Sequence, residues 1–308
     1  MTMPNFLIIG AAKSGTTALY EYLKQHPQIY MSSPLKEPHF FAFEDERPNF
    51  QGPGDQELYD HIGVSNIDVY RALFQGVAKE TAIGEASVYY LYLSRARDRI
   101  QHYVPEVKLI AILRDPAERA YSNFLYMIRD YKEPLSDFAS ALQAEEDRIQ
   151  NNWGPLWHYK QVGFYYEQLQ RYYEVFDREQ IRVYLYEDLI DDPASILGDA
   201  CTFLGVDDAF APNVSVKHNV SGLPKNKHLH VLHRFLARPH PVKAIFKPFL
   251  PLQLRRPLVE GLLNILRTRN LVKPPFPVEM RRQLTEVYRE DILKLQELIQ
   301  RDLSEWLQ

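Results

Sequence analysis

The sequence predicts an α/β fold with three layers, in which a central parallel sheet is flanked by helices and followed by a helical C-terminal extension. Three observations predict it. Segments typical of strands and helices alternate along the chain with short connections. Val107–Leu113 is a continuous, largely apolar run, as expected for a strand buried on both faces of a parallel sheet. A loop flanked by Gly10 and Gly15 joins the first strand to the first helix.

The first half of the chain begins with a strand at Asn5–Ile9 and a helix at Thr16–Gln25. That helix ends at His26-Pro27, because proline disfavours helix in the residue before it. The next predicted elements are a short strand at Ile29–Met31, a loop at Ser32–Pro38, an irregular surface stretch over 44–66, a helix at Val69–Phe74, a strand at Ala82–Gly84 and a helix at Ser94–Tyr103.

The second half starts from the strand Val107–Leu113, which Arg114-Asp115-Pro116 ends. The elements predicted after it are helices at Ala117–Met127, Ser136–Gln150 and Gly163–Phe176, a strand at Ile181–Tyr186 and a helix at Pro193–Leu204. No strong strand is predicted after residue 220, where loop and basic, proline-broken helices lead to a long helix at Val278–Leu307. We expect one domain over residues 1–308.

Composition narrows the class of protein. The 308 residues are 45% hydrophobic and 25% charged, which is ordinary for a folded globular chain. The single cysteine, Cys201, excludes an internal disulfide framework and a cysteine-cluster metal site. No stretch has the length of a signal peptide or a membrane span, so a cytoplasmic location is expected.

Basic residues are concentrated in one segment. The net charge is -4, yet Lys217–Lys273 holds 12 Lys and Arg and one acidic residue, Glu260. This asymmetry indicates an anionic ligand, substrate or surface. We expect the segment 217–275 to cover the site, while 234–273 could also touch a membrane surface, pair with a second subunit or form a solvated basic face. Few aromatic residues interleave with these charges, which argues against nucleic acid. The oligomeric state stays open.

The loop from Gly10 to Gly15 has the features of a phosphate cradle. Unpaired N–H groups and the dipole at a helix start favour an anion, and Lys13 adds a cation nearby. The two glycines have Walker A spacing, but Thr16 stands where that motif has lysine. The loop is therefore P-loop-like without being an ordinary ATPase loop. A plain turn that contains two glycines is the alternative.

A second anion site is predicted at the end of the strand Val107–Leu113. Arg114 follows the strand, and Ser122 lies on the helix after it. A guanidinium grips phosphate through paired N–H donors, and ligands of parallel sheets bind at the carboxyl ends of strands. The alternatives are an Arg-Asp pair that caps the helix, or a magnesium-holding Asp115 in a kinase-like site.

Together these motifs resemble PAPS-dependent sulfotransferases, in particular a bacterial branch similar to the heparan sulfate enzymes. K-x-G-T-T-x-L at 13–19 resembles the family's 5′-phosphosulfate loop, and R-D-P with R-A-x-S at 114–122 resembles its 3′-phosphate motif. The resemblance covers most of residues 5–225 and the terminal element at 303–307. It implies PAPS as co-substrate, PAP as product and no metal. The donor-binding residues that it implies are Lys13, Ser14, Gly15, Thr16, Thr17, Arg114, Ser122 and Lys225, with Lys227 a weaker match.

The resemblance also implies a general base in Lys36–Phe41, on the loop and strand after the first helix. It assigns that role to Glu37, with His39 positioning it or sharing the proton and Lys36 helping to hold the sulfate. A solvated Lys-Glu pair beside a packing histidine is the alternative. Glu85 is a second candidate base, although relatives carry lysine and proline where this chain has Ala86 and Val88.

An aromatic group follows the long predicted helix and has two interpretations. It consists of Trp153, Trp157, His158 and Tyr159. These side chains could line an acceptor pocket for a sugar or an apolar alcohol, or they could belong to the core.

The function expected from all this is O-sulfation by in-line displacement, with Glu37 as base and Lys13 stabilising the leaving phosphate. The acceptor would be a small molecule, lipid or carbohydrate that bears a hydroxyl group. The alternatives are a P-loop kinase or NTPase, which would need magnesium and ATP, and a binding module that has lost catalysis.

Overall fold

The computed structural model describes residues 2–33, 35–130, 132–215, 222–224 and 271–308. The chain divides into two compact units. The first comprises 1–124, 135–219 and 276–308, and the second comprises 125–134 and 220–275. One domain over 1–308, with 217–275 covering the site, stays a prediction.

The first unit is built on a five-stranded sheet in which all neighbouring strands are parallel. Its strands are β1 (Phe6–Gly10), β2 (Ile29–Met31), β3 (Ala82–Ala86), β4 (Lys108–Leu113) and β5 (Ile181–Leu185). They lie in the order β2-β3-β1-β4-β5. The predicted parallel sheet is confirmed, and the first strand lies at its centre.

The pairing of β1 with β4 fixes where the two predicted anion sites begin. Phe6 lies opposite Lys108, and Gly10 lies opposite Ala111. The pairing continues into the loop, because the Ala11 N–H donates to the Ile112 carbonyl at 2.8 Å. The loops that follow the two strands therefore leave the sheet side by side.

Helices connect and cover these strands. Their bounds are α1 (Thr16–Leu23), α2 (Phe40–Phe43), α3 (Asp55–Ile62), α4 (Ile67–Ala72), α5 (Arg95–Tyr103), α6 (Pro116–Arg129), α7 (Phe138–Gln143), α8 (Glu145–Gln150), α9 (Tyr165–Tyr173), α10 (Tyr186–Asp191), α11 (Pro193–Leu204) and α12 (Val278–Ile299). Short 3-10 turns lie at Pro155–Trp157, Gln161–Gly163, Arg178–Gln180 and Ser304–Leu307.

Both faces of the sheet are covered, which confirms the three layers. Side chains on successive strand residues point to opposite faces. On one face the strands pack with α1 and α11 through Phe6, Ile8, Ile110, Ile112, Leu19, Leu23, Leu197 and Phe203. Leu7 and Leu109, which point the other way, are also fully buried.

Two stretches differ from the predicted elements because burial and helix-start chemistry overrode the pattern. The segment predicted as irregular over 44–66 contains α3, which begins after Gly54 with Asp55 and Glu57 in its first turn. Acidic residues there are favoured by the helix dipole. The stretch Lys36–Phe41, expected on a loop and strand, instead runs into the helix α2, whose four residues are all buried. A strand would have pointed alternate residues away from the core.

Two of the predicted helices differ most from the structure in their bounds. The one predicted over Ser136–Gln150 is divided at Ala144 into α7 and α8. Three acidic residues, Glu145 to Asp147, start α8, as suits a new helix N-terminus. The predicted C-terminal helix ends at Ile299, because Gln300 adopts a left-handed conformation with φ 53°.

The second unit includes a small two-stranded sheet. Its strands are β6 (Leu223–Pro224) and β7 (Leu271–Val272), which pair antiparallel. These two-residue strands were not predicted. The helices predicted within 234–273 lie outside the described residues.

Replacing Gly84 should destabilise the first unit. A Cβ atom at this position in β3 would lie 2.3 Å from Cζ of the buried Phe6 ring. We expect Gly84→Ala to lower the free energy of unfolding by about 1–3 kcal/mol, measured by urea denaturation. Gly198→Ala is the control, because nothing lies within 4 Å of the added atom; it should be neutral or stabilising. Phe6→Leu should recover part of the Gly84→Ala loss, and an equal loss in both backgrounds would contradict the clash.

Candidate active site

The loop after β1 provides a helix N-terminus that can receive an anion. Lys13 and Gly15 take left-handed conformations with φ 68° and 95°, and α1 begins at Thr16. The first N–H groups of a helix have no partner within the helix, and the dipole favours negative charge there. Gly15 is required for space as well as for its φ angle, because a Cβ atom would lie 2.9 Å from Cδ2 of Tyr186.

The side chains of this loop add polar groups at the same place. Ser14 Oγ is buried and has no hydrogen-bond partner among the described residues, so a donor phosphate or sulfate oxygen would satisfy it. Thr16 is 3% exposed. Thr17 Oγ1 accepts a hydrogen bond of 2.9 Å from Lys36 Nζ. An unsatisfied buried hydroxyl beside a helix N-terminus fits the predicted anionic group.

The second motif surrounds the start of α6. Arg114 is 9% exposed, and its Nη2 lies 3.0 Å from Glu118 Oε2. Asp115 caps the helix, since its Oδ1 accepts the N–H groups of Ala117 at 2.8 Å and Glu118 at 3.1 Å. The helix-capping interpretation is therefore right for Asp115, while Arg114 pairs with Glu118 instead.

The other residues of this motif lie inside the protein. Ser122 is 1% exposed. Arg119 is fully buried, and its guanidinium donates to the Tyr159 carbonyl. Arg119 thus links α6 to the loop before α9, whereas Arg114 is the arginine at the strand end.

One aromatic ring joins the two predicted anion sites. Tyr186 is the first residue of α10, directly after β5. The Arg114 guanidinium carbon lies 4.7 Å from the centroid of its ring, and the same ring packs on Gly15. The structure therefore brings the Lys13 loop and Arg114 to the same aromatic ring instead of placing them in separate regions.

The loop Lys36–His39 is tied to the first turn of α1 by a hydrogen bond from Lys36 to Thr17. Lys36 Nζ contacts both Thr17 Oγ1 and Glu37 Oε1, the latter at 2.7 Å. Glu37 Oε2 lies 3.5 Å from Nε2 of His39, which is fully buried. Burial opposes ionisation of Glu37, but the positive charge of Lys36, with a smaller contribution from the nearby His39, outweighs it and lowers its pKa to about 2. Glu37 is therefore an ionised acceptor whose side chain is 27% exposed.

Glu85 lies beneath this loop and supports it. It is fully buried at the end of β3, and Tyr70 donates a hydrogen bond of 3.2 Å to its Oε1. The hydroxyls of Ser87 and Tyr90, which also interact with this carboxyl, accept backbone N–H groups from the start of α2. Ser87 accepts from His39 at 3.0 Å, and Tyr90 accepts from the next residue but one, Phe41, at 3.3 Å.

Burial raises the pKa of Glu85 to about 8, although hydrogen bonds from Tyr90, Ser87 and Tyr70 act to lower it. A carboxyl group with no exposed surface cannot meet an acceptor in this conformation. Its position favours a supporting role over the role of base that the sequence left open.

The aromatic group after α8 belongs to the core. Trp157 and Tyr159 are fully buried, and Trp157 Nε1 donates to Asp55 Oδ1 at 2.9 Å. His158 bonds the Tyr92 hydroxyl at 2.8 Å and the Trp153 carbonyl at 2.9 Å. Burial lowers the pKa of His158 to about 4. Of the two interpretations, the core is the correct one for Trp157, His158 and Tyr159, while Trp153 is only half-buried.

Two residues of the site were not predicted. Tyr186 ends the chain's last predicted main-sheet strand, and the rule that ligands bind at strand ends could have indicated it. Arg281 comes from α12, where its Nη2 lies 3.0 Å from Asp115 Oδ2 and its Nη1 lies 3.3 Å from Glu118 Oε1. No local pattern connects it to residues more than 160 positions earlier. Lys225 lies outside the described residues.

Comparison with known proteins identifies the family. Residues 3–235 match the sulfotransferase domain family, and the chain belongs to that family. A solved structure of a sulfotransferase from Alicyclobacillus acidocaldarius aligns over 100% of both chains, with 34% identity and a TM-score of 0.76. The resemblance to sulfotransferases found in the sequence and the predicted class of enzyme, a transferase, are confirmed.

Curated relatives point to the same family. Human bifunctional heparan sulfate N-deacetylase/N-sulfotransferase 3 is 31% identical over 214 residues, which cover 66% of this chain and 22% of the relative. Mouse heparan sulfate glucosamine 3-O-sulfotransferase 6 is 27% identical over 269 residues, which cover 80% and 69% of the two chains. The chain thus spans only about a fifth of the length of the first relative.

Two kinds of feature are absent from the described residues. No group of three His, Cys, Asp or Glu side chains within them has the arrangement of a metal site. In the same part of the chain, no helix combines the length and apolarity needed to cross a membrane.

The pH dependence of stability should reveal the buried Glu85. Its carboxyl keeps a proton up to about pH 8 in the folded chain, but releases it near 4.5 when unfolded. The folded state then binds more protons between these values, so its stability relative to Glu85→Gln should fall as pH rises from 4.5 to 8, by up to about 5 kcal/mol. Urea unfolding of both proteins at several pH values measures this difference. Parallel curves for the two proteins would contradict the raised pKa.

Proposed function

We propose that the chain transfers a sulfuryl group from PAPS to the hydroxyl group of an acceptor. The observation that carries this proposal is the ring of Tyr186, which packs on Gly15 and stacks under Arg114. It joins a helix N-terminus and a guanidinium into one site with two anion-binding ends. PAPS has phosphate groups at both ends of its ribose, so a site with two such ends suits it.

The donor would be held by both motifs. Lys13, Ser14, Gly15, Thr16 and Thr17 bind the 5′-phosphosulfate, where the N-terminus of α1 favours negative charge. Arg114 grips the 3′-phosphate as a guanidinium, and Ser122 supports it from α6. Lys225, which the family resemblance adds to this set, stays a prediction.

The reaction is an in-line displacement at sulfur. The acceptor oxygen forms a bond to sulfur while the bond from sulfur to the bridging phosphate oxygen breaks. The electron pair of that bond leaves with PAP, and the acceptor proton passes to Glu37. Lys13 stabilises the charge that develops on the leaving phosphate.

Glu37 suits the role of base because of its surroundings. It is ionised, it is partly accessible with 27% of its side chain exposed, and His39 lies 3.5 Å away. Lys36 touches both Glu37 and the phosphate loop, so it connects the base to the donor and is placed to help hold the sulfate. His39 positions the carboxylate from its buried side.

The acceptor is proposed as a small molecule, lipid or carbohydrate that carries a hydroxyl group. The name of the mouse relative describes a carbohydrate acceptor, which supports this class. A P-loop kinase is not favoured, because the carboxylate of Asp115 caps α6 and pairs with Arg281 instead of standing free for magnesium. The cytoplasmic location, the absence of nucleic acid and the membrane contact through 234–273 stay predictions.

Glu37→Gln should abolish transfer but keep donor binding. The amide cannot take the acceptor proton, so turnover should fall by about 10²–10⁴-fold. Radiolabelled sulfate transfer from PAPS into a lysate of the source cell, with identification of the labelled product, measures turnover. Calorimetry with PAP measures donor binding. Glu57→Gln, an exposed glutamate on α3, is the control. Normal transfer by Glu37→Gln would place the base elsewhere.

Lys13→Ala should lower turnover by about two or more orders of magnitude, because the leaving phosphate loses a cation. The same labelled transfer, measured at saturating PAPS, separates this effect from weaker donor binding. Lys24→Ala removes an exposed lysine at the other end of α1 and should leave turnover unchanged. If Lys13→Ala turns over at a near-normal rate, Lys13 carries no charge stabilisation.

A further inference from the structure

Arg114 does not face the proposed 3′-phosphate as an unoccupied cation. Its Nη2 lies 3.0 Å from Glu118 Oε2. The other oxygen of the same carboxylate lies 3.3 Å from Arg281 Nη1, and Arg281 Nη2 lies 3.0 Å from Asp115 Oδ2. Two cations and two anions thus form a chain with no net formal charge.

A phosphate dianion must compete with Glu118 for Arg114. The side chains of Arg114, Glu118 and Asp115 are 10%, 19% and 6% exposed. Water therefore screens their charges only partly, and a carboxylate beside the phosphate would repel it. Donor affinity then depends on how strongly another group holds Glu118 away from the phosphate.

Arg281 is placed to be that group. It is anchored to Asp115, it already contacts Glu118, and its side chain is 36% exposed. It is also bordered by a cavity of about 350 Å³ that Arg114, Glu118 and Tyr186 line as well. The ion-pair chain therefore faces open space, where its members can change partners.

We propose that Arg281 of the C-terminal helix is a positioning residue for donor binding. It takes over the charge of Glu118 when Arg114 engages the 3′-phosphate, so it acts on the donor through Glu118 and not by direct contact. This inference rests on the proposed role of Arg114 as the 3′-phosphate ligand.

A double-mutant cycle tests the proposal by calorimetric titration with PAP. Arg281→Gln should weaken PAP binding by about tenfold, because Glu118 then loses the guanidinium that draws its charge away from Arg114. Glu118→Gln should tighten PAP binding severalfold. In the Glu118→Gln background, adding Arg281→Gln should have little further effect. Adenosine 5′-monophosphate, which lacks the 3′-phosphate, should bind all four proteins equally.

Two further variants serve as controls. Arg281→Lys keeps the charge and should retain most of the PAP affinity, which covers the case in which Arg281→Gln folds poorly. Arg289→Gln breaks an exposed pair with Glu286, 2.6 Å long, on the same helix, and should leave PAP binding unchanged.

The outcomes decide whether Arg281 acts through Glu118, touches the phosphate directly or supports the fold. If Arg281→Gln weakens PAP binding by the same factor in both backgrounds, Arg281 touches the phosphate or supports the fold, and the inference is overturned. Equal losses for PAP and adenosine 5′-monophosphate would overturn it too. Arg114→Gln distinguishes failure of the proposed donor site from failure of this inference. Normal PAP binding by this variant would contradict the proposed donor site itself. Weak PAP binding by this variant, together with an additive double-mutant cycle, would contradict only the role of Arg281.

Discussion

The site depends on the parallel pairing of β1 with β4. Backbone hydrogen bonds between these strands continue into the phosphate loop through Ala11 and Ile112, so the start of α1 and the Arg114 backbone cannot shift independently. β5 pairs next to β4 and delivers Tyr186 between the two motifs. The register of the sheet therefore places the backbone of both proposed anion-binding ends.

The order of strands also separates two functions within the site. β3 lies on one side of β1 and carries Glu85, beneath the loop of Glu37. β4 and β5 lie on the other side and carry Arg114 and Tyr186. The proposed base and the proposed 3′-phosphate ligand therefore flank the phosphate loop from opposite directions. In the proposed reaction, the acceptor approaches from the β3 side while the nucleotide extends towards β5.

The sequence predicted what local pattern controls. Strand–loop–helix spacing located the sheet, the loop of Lys13 and the strand end at Arg114, because glycines, apolar runs and prolines act on their own neighbours. It could not predict that Glu85 would be buried and tied to α2, or that Arg281 would reach Glu118, since both follow from tertiary packing. The aromatic group near Trp157 was ambiguous for the same reason: its pattern suits a pocket and a core equally.

At both ends of the proposed site the cation is paired with a carboxylate, Lys36 with Glu37 and Arg114 with Glu118. This pairing affects when Glu37 can accept a proton. At one end Lys36 is paired with Glu37. Burial alone would raise the pKa of Glu37, but the positive charge of this lysine is the largest influence that lowers it, to about 2. A base held at so low a pKa is a poor proton acceptor. If the sulfate of the donor draws Lys36 away, the largest influence that lowers the pKa is lost, and the pKa of this partly exposed carboxylate rises. Donor binding would thus make Glu37 a stronger base only when there is a sulfuryl group to transfer.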